Sequence, residues 1–185
     1  MHILKRLLLS AALSVLAGAA VSAQTVTISY TLYRIPRIAS NQLAVWIEDA
    51  DGRFVRTLFA TDFMARRQGF RKRPQACPEW VKAAGLNRLA PAEIDAVSGA
   101  TQKPGSISIA WDCTASGQPV AAGVYFYKVE GNIFWEKRVL WTGRIEVGAS
   151  ASESSATAQY LPDSSAAKEG TLVEGVTARF RPAQR

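Results

Sequence analysis

Residues 106–130 decide the fold class, and they read SISIAWDCTASGQPVAAGVYFYKVE. Polar and apolar residues alternate over residues 106–111, as in a strand that buries one face. A turn containing Ser116-Gly117 and Pro119 follows, and residues 123–130 predict a second strand rich in Val and aromatic residues. Two strands joined by a Gly-containing turn indicate antiparallel β-structure at the centre of the chain.

Further strand signals lie on both sides of this stretch. Residues 24–33 alternate apolar residues with Thr and Ser, and the apolar runs at 43–48 and 53–60 flank the hairpin signal Asp51-Gly52. Another uneven alternation covers residues 138–147. Short strands at these intervals predict an all-β, immunoglobulin/fibronectin-like β-sandwich of about seven strands.

The predicted domain spans residues 24–148 and contains one long insert. Between residues 61 and 105 the β pattern stops, and residues 78–85 read as a short helix, with Pro78 in its first turn and Gly85 as its stop. Residues 149–185 begin Ala/Ser-rich, which predicts a flexible tail, and residues 171–180 could add a final edge strand.

The first 23 residues predict a secretory signal peptide. A short basic start is followed by an apolar run from Leu7 to Val21 and by small residues before the expected cleavage after Ala23. That run is too short for a lasting membrane anchor. We therefore expect a soluble periplasmic protein that does not span the membrane, and nucleic acid is not an expected partner.

Composition excludes several kinds of site from the mature chain. The only His is His2, which leaves with the signal peptide, so His-dependent triads and His-ligated metal sites are not expected. No metal-binding loop was recognised, because Asp49 and Asp51 are better explained by the hairpin turn. Without the signal peptide, 20 basic residues face 15 acidic ones, which gives a net charge of +5.

Two cysteines remain, Cys77 and Cys113. In an oxidising compartment the simplest interpretation is one disulfide closing a loop of about 35 residues, which contributes roughly 3–4 kcal/mol. The alternative is a reactive dithiol, although the two residues form no Cys-x-x-Cys motif.

Residues 109–127 resemble a pattern found in immunoglobulin-like modules, such as the one in flagellar hook-capping proteins. The shared features are Trp111-Asp112, the Gly-rich turn and the aromatic strand ending at Tyr127. This resemblance implies a fold and not a function.

A wider set of segments resembles a family of predicted periplasmic proteins of unknown function. The segments are residues 43–52, Pro78-Glu79-Trp80, residues 95–101, the hairpin with Trp111-Asp112 and the Gly-Arg-Ile-Glu-Val-Gly ending at Gly148. Members of that family tend to accompany flavin transferases and membrane reductase-like proteins. The resemblance therefore implies a flavin transferase and a membrane-bound reductase as partners.

The heptapeptide Asp95-Ala96-Val97-Ser98-Gly99-Ala100-Thr101 is similar to the acceptor motif Asp-x-x-Ser/Thr-Gly-Ala-Thr/Ser of exported flavoproteins. In those proteins a flavin transferase links FMN through its phosphate to the last hydroxyl. The similarity implies Thr101 as the FMN acceptor, with Asp95, Ser98, Gly99 and Ala100 presenting it. The alternative is an ordinary turn in which Gly99 adopts positive φ.

Nearby residues suit a flavin as well as a plain surface. Trp80 or Phe70 could stack on the ring system, and the basic run at 66–73, including Arg71 and Arg73, could neutralise the phosphate. The alternative for that run is a solvated loop. Trp46, Trp111, Trp135 and Trp141 are expected in the sandwich core or at its rim.

Two hypotheses on function follow. The first is an electron carrier with covalent FMN on Thr101, which acts with a membrane reductase. The second is a non-enzymatic immunoglobulin-like module that binds a partner or a component of the cell envelope. No catalytic residues are predicted in either case, and an electron carrier or binding protein is favoured over a stand-alone enzyme.

Overall fold

The computed structural model describes residues 23–36, 41–65, 69–86, 98–99 and 102–184, with only the backbone described for 98–99. Most of these residues are in β-strands. The strands are β1 (Thr25–Leu32), β2 (Gln42–Asp49), β3 (Phe54–Thr61), β4 (Ser98–Gly99), β5 (Gly105–Trp111), β6 (Thr114–Ala115), β7 (Gln118–Pro119), β8 (Gly123–Phe134), β9 (Lys137–Val147), β10 (Ser152–Ser155), β11 (Thr157–Leu161) and β12 (Val173–Arg181). The helices are α1 (Asp62–Ala65), α2 (Gly69–Lys72), α3 (Pro78–Ala84) and a 3₁₀ helix (Ser164–Glu169).

The described strands form two larger sheets and one small hairpin. The four-stranded sheet has the order β10-β12-β1-β5, and all of its neighbours are antiparallel. The six-stranded sheet has the order β11-β9-β8-β2-β3-β4 and is antiparallel except at its β3–β4 edge. The expected mostly β, antiparallel architecture is confirmed. The hairpin expected from residues 106–130 is not, because β5 and β8 lie in different sheets.

The two larger sheets share one hydrophobic core, which we call the inner core. Strand β1 contributes its alternate residues Val26, Ile28 and Tyr30, which follow the period of two in the sequence. Strands β2 and β8 contribute residues from the other sheet, among them Val45 and Tyr127. The inner core therefore lies where the alternating strand patterns predict it.

Gly143 explains the uneven alternation in β9. A Cβ atom on Gly143 would lie 2.0 Å from the ring of Tyr127, its partner on β8, so only glycine leaves space for this ring. The Tyr127 hydroxyl donates to the carbonyl of Ser154 on β10 at 3.2 Å. The ring thus crosses the inner core and connects the two sheets.

A second hydrophobic cluster, the outer cluster, lies on the opposite face of the six-stranded sheet. Ala44 and Trp46 alternate with the inner-core residues of β2, so this strand is buried on both faces. The helical insert packs over this outer face through Met64, Phe70 and other residues. Within the insert, α3 agrees with the predicted helix, and Gly85 ends it in the left-handed region at φ 62°.

The segment expected to be a tail is part of the fold, which corrects the predicted boundary at residue 148. Strands β10 and β11 and the 3₁₀ helix lie within residues 152–169. Strand β12 lies between β10 and β1, so it is an interior strand and not a final edge strand. Phe180 on β12 is fully buried. Strand β10 reads SESS and β11 reads TAQYL, so neither shows a clear apolar alternation that would predict a strand.

Candidate functional site

The described part of the predicted FMN-acceptor motif forms a sheet edge. Ser98 and Gly99 make up β4, which pairs in parallel with Ala60 and Thr61 of β3. Strand β4 is the last strand of the six-stranded sheet, so one side of its backbone has no strand partner among the described residues. Asp95, Ala100 and Thr101 lie outside the described residues.

Gln102, the residue after the motif, is held by the other sheet. The buried hydroxyl of Tyr30 on β1 donates to Gln102 Oε1 at 2.7 Å. Burial raises the pKa of Tyr30, so this hydroxyl stays protonated and remains a donor at neutral pH. The motif is therefore flanked by contacts to both sheets, with Gly99 beside β3 and Gln102 beside β1.

Buried polar residues continue from β3 across the outer face of the sheet. Thr61 Oγ1 donates to Gln42 Oε1 at 2.6 Å, and Gln42 is paired with Asn132 on β8. The guanidinium of Arg73, just after α2, donates to Asn132 Oδ1 at 2.7 Å. All three sheet residues are nearly inaccessible. This row of buried polar residues attaches Arg73, the insert residue directly after α2, to the six-stranded sheet. The attachment lies at the same end of the sheet as β4.

Glu130 is a fully buried carboxylate beneath the first turn of α3. Its oxygens accept from the backbone N–H groups of Trp80 at 3.0 Å and Glu79 at 3.4 Å. The N-cap residue of α3, Cys77, makes no side-chain cap, so Glu130 supplies the acceptors from β8. This carboxylate joins the helical insert to the sheet.

Arg138 on β9 pairs with the same carboxylate. Its Nε lies 3.1 Å from Glu130 Oε1, although the angle is not that of a hydrogen bond, and its Nη2 donates to Glu79 Oε1 at 3.4 Å. Burial raises the pKa of Glu130 to about 7, against the opposing effects of the Trp80 N–H and the Arg138 charge. A buried carboxylate that titrates near neutral pH is therefore built into the contact between insert and sheet.

Neither predicted stacking residue presents an open ring face, which corrects both expectations. Trp80 is fully buried in the outer cluster, and its Nε1 donates to Thr57 Oγ1 at 2.9 Å. Phe70 is 5% exposed and packs in the same cluster. Both rings pack on the apolar outer face of β2 and β3. The alternating pattern of the sequence does not reveal that this second face is apolar.

The predicted phosphate-binding residues are only partly available. Arg71 is exposed, and its guanidinium lies 5.4 Å from the centroid of the Phe70 ring. Arg73 is half-buried and held by Asn132. Helix α1 contacts both α2, which carries Arg71, and β4, which consists of Ser98 and Gly99. One helix therefore separates Arg71 from the described motif residues. Residues 66–68 of the basic run lie outside the described residues.

The predicted Cys77–Cys113 disulfide is not formed. Both thiols are free and buried, Cys77 in the outer cluster and Cys113 in the inner core. These clusters lie on opposite faces of the six-stranded sheet, whereas a disulfide requires Cα atoms within about 7 Å and facing Cβ atoms. Burial raises the pKa of both thiols, that of Cys113 to about 11, which disfavours the thiolate.

The tryptophans divide between core and surface. Trp46 and Trp111 are buried as expected, and Trp141 is partly buried against the inner core. Trp135 differs, because it is 57% exposed in the turn between β8 and β9. Two features of the sequence indicate this exposure. Trp135 lies in a turn, and the residues around it do not alternate between apolar and polar.

Sequence reasoning missed Glu130, Asn132 and Arg138. The signal was a polar residue at every second position of β8 (Lys128, Glu130, Asn132), on the face opposite Tyr127 and Val129. In a strand with one solvated face this pattern is ordinary, so the burial of these residues depended on the insert.

Over the described ranges, no group of three or more Cys, Asp or Glu side chains is arranged to hold a metal ion. In the same ranges no helix is long and apolar enough to cross a membrane.

The fold and the site define a mostly β protein with a helical insert fixed to one sheet face and a motif segment at its edge. Residues 23–162 match the family of predicted periplasmic proteins DUF2271, and the chain belongs to this family. The predicted periplasmic localisation is thereby confirmed. No curated protein and no solved structure matches the chain.

Proposed function

We propose that this periplasmic protein carries FMN covalently linked to Thr101 and transfers electrons with a membrane-bound reductase. A flavin transferase would attach the FMN, as in exported proteins with the same acceptor motif. The fold that presents it would be an immunoglobulin-like sandwich. Bound FMN supplies redox chemistry that the side chains of this chain lack.

One observation carries the proposal, namely that the motif meets the domain at a sheet edge. A second enzyme must reach the acceptor hydroxyl, and Ser98-Gly99 at the last strand of the six-stranded sheet leaves one side of the backbone open among the described residues. The absence of His from the mature chain is no objection, because the transferase provides the activation.

Charge near the edge agrees with a phosphoester. The exposed Arg71 lies on α2. Helix α2 contacts α1, and α1 in turn contacts β4. A guanidinium at that position can balance the remaining phosphate charge. Since the rings of Trp80 and Phe70 are buried, neither ring contacts the flavin. The covalent bond to Thr101 holds the flavin on the protein.

The test is the intact mass of the protein exported together with a flavin transferase. We expect a gain of one FMN less one water, a yellow protein, and flavin fluorescence that stays with the chain after denaturation. Thr101→Ala should remove the gain. Thr177→Ala, at an exposed Thr on β12, should keep it as the matched control. Unmodified wild-type protein, or flavin retained by Thr101→Ala, would refute the proposal.

A second candidate is a non-enzymatic immunoglobulin-like binding module, and a groove of about 900 Å³ favours it. The groove lies between β3 and the end of β5, and its lining includes Phe54, Leu58 and Trp111. Strand β4 pairs with β3 only at residues 60–61, so residues 54–58 have no described strand partner on that side. An extended segment of a partner could add there by β-augmentation.

If the protein is a binding module, the Thr101→Ala variant should still bind the partner. The Leu58→Asp variant should lose the partner, because it places a charge in the groove. Capture that depends on Thr101 and flavin would favour the electron carrier.

A further inference from the structure

Strand β5 is an unprotected edge of the four-stranded sheet. It pairs with β1 on one side over its full length, from Gly105 to Trp111, in one uninterrupted register. On its other side it has no strand partner among the described residues. The strand reads GSISIAW, without a charge, a proline or a bulge. Natural proteins use those devices to keep edge strands from pairing with another chain, so their absence indicates that this edge has a partner.

The opposite side of the sandwich is closed. Strands β10 and β11 follow each other along the chain, and the first belongs to the four-stranded sheet and the second to the six-stranded sheet. Between them, the N–H of Ala156 donates to the carbonyl of Val176 at 2.8 Å. Strand β11 is contacted by the 3₁₀ helix, and β10 carries Glu153 in an ion pair with Arg179. Strand β4 is only two residues long. In the described part of the chain, β5 is thus the long edge that lacks protection.

The side chains of β5 suit antiparallel pairing with a second copy of the same strand. Ser106, Ser108 and Ala110 are exposed on the outer face of the sheet, whereas Ile107 and Ile109 are half-buried against the inner core. Pairing centred on Ser108 sets Ile107 beside Ile109 of the second copy, and Ser106 beside Ala110 of the second copy. Apolar side chains then meet on one face and small side chains on the other, so the strand is complementary to itself.

Charge does not oppose this pairing, although the mature chain carries +5. The exposed Lys103 precedes β5, and Asp112, whose side chain is 58% exposed, follows it. A two-fold axis brings Lys103 of one copy toward Asp112 of the second copy. Within each chain Asp112 Oδ1 already pairs with Arg56 at 3.0 Å. Lys103 therefore meets an ion pair with an exposed carboxylate, and not a lone cation.

We propose that the protein forms a symmetric dimer in which the β5 strands of two copies pair in antiparallel orientation around a two-fold axis at Ser108. The two four-stranded sheets then form one continuous sheet, and the backbone groups on the open side of β5 become paired. Because the contact is the same patch on both copies, it closes on itself and uses each β5 edge once.

The dimer does not depend on the proposed flavin, so the two proposals fail separately. Thr101→Ala, which removes the proposed acceptor, should leave the dimer intact. A dimer without flavin would refute only the electron carrier, and a flavin-bearing monomer would refute only the dimer.

The first test is the molecular mass of the exported protein in solution, measured by light scattering over a concentration series. We expect a dimer that dissociates on dilution. Ser108→Lys places two like charges directly opposite each other at the axis and should raise the dissociation constant about fivefold. Because Ser108 is exposed, the melting temperature of the monomer should change little. Thr177→Lys is the matched control, because Thr177 is exposed in the same row of the sheet, two strands away from β5.

A charge exchange tests the position of the axis. Ser108→Asp alone should weaken the dimer as Ser108→Lys does, whereas a mixture of the two variants should form a mixed dimer at least as strong as wild type. Ser108→Cys should form an intermolecular disulfide on oxidation, because facing residues of an antiparallel pair lie within disulfide reach and both native thiols are buried. Thr177→Cys should form none.

Wild-type protein that stays monomeric across the concentration series would overturn the proposal. A dimer that Ser108→Lys weakens no more than Thr177→Lys would overturn it as well, because the contact would then lie elsewhere on the molecule. If the mixture of Ser108→Lys and Ser108→Asp gains no strength over the separate variants, the pairing at Ser108 is wrong.

Discussion

The two faces of the six-stranded sheet are both buried, but they are buried by different means. The inner face meets the four-stranded sheet through apolar residues such as Val45 and Tyr127. The outer face meets the insert through Trp46 and Trp80 and also through the buried carboxylate of Glu130. Short helices leave backbone N–H groups to satisfy, so the outer contact needs acceptors that the inner one does not. The outer face is therefore the one whose stability depends on charge.

The largest expected effect concerns the inner core. Phe180→Ala should lower the free energy of unfolding by about 3–5 kcal/mol, because the ring is fully buried in β12. Denaturant unfolding measures the change. Arg181→Ala, at the exposed next position, should stay within about 0.5 kcal/mol of wild type. Equal small effects at both positions would mean that the C-terminal segment is a tail after all.

The next prediction is a dependence of stability on pH that arises at the outer face of the sheet and not at the inner one. The pKa of Glu130 is raised from 4.5 to about 7 in the folded protein, so the folded state keeps its proton where the unfolded state has lost it. The free energy of unfolding should therefore fall as pH rises through this range, by up to about 3 kcal/mol. Urea unfolding at a series of pH values measures the slope.

Glu130→Gln is the control for that slope. It should flatten the dependence between pH 4.5 and 7, and no histidine in the mature chain titrates there to obscure the result. Inner-core variants such as Phe180→Ala should keep the slope. An unchanged slope in Glu130→Gln would show that the carboxylate is not the titrating group.

A smaller effect compares one hydrogen bond on each face. Trp80 Nε1 donates to Thr57 on the outer face, and Trp111 Nε1 donates to the carbonyl of Thr114 beside the inner core, both at 2.9 Å. Replacing either Trp by Phe should cost about 1 kcal/mol for the lost bond, in addition to the smaller ring. The two costs should add in the double variant, because the sites share no partner. Strong non-additivity would show that the two sites are energetically coupled through the sheet.

The smallest expected effect is that of a reducing agent. Cys77 and Cys113 lie on opposite faces of the sheet as free thiols, so reduction should leave the melting temperature unchanged. Thiol titration should detect two groups per denatured chain. A drop in stability on reduction, without free thiols beforehand, would instead support the disulfide expected from the compartment.

The strands on the inner core were predictable, and the outer face was not. Val26, Ile28 and Tyr30 alternate with Thr and Ser, so periodicity alone identifies β1. Trp80 and Phe70 belong to an insert without a period, and their burial depends on a sheet face formed by distant residues. The same reason explains why Glu130 was missed, because its partners Glu79 and Trp80 lie about fifty residues earlier in the chain.

The export signal, the antiparallel β class and the acceptor-like motif at residues 95–101 can all be read from the amino-acid sequence. These depend on local composition, on side-chain period and on short-range spacing. Three features required the folded structure: β12 is an interior strand, the two cysteines lie in separate clusters, and Trp135 is exposed. Each of those depends on which strands become neighbours, and strand pairing joins residues that are far apart in the chain.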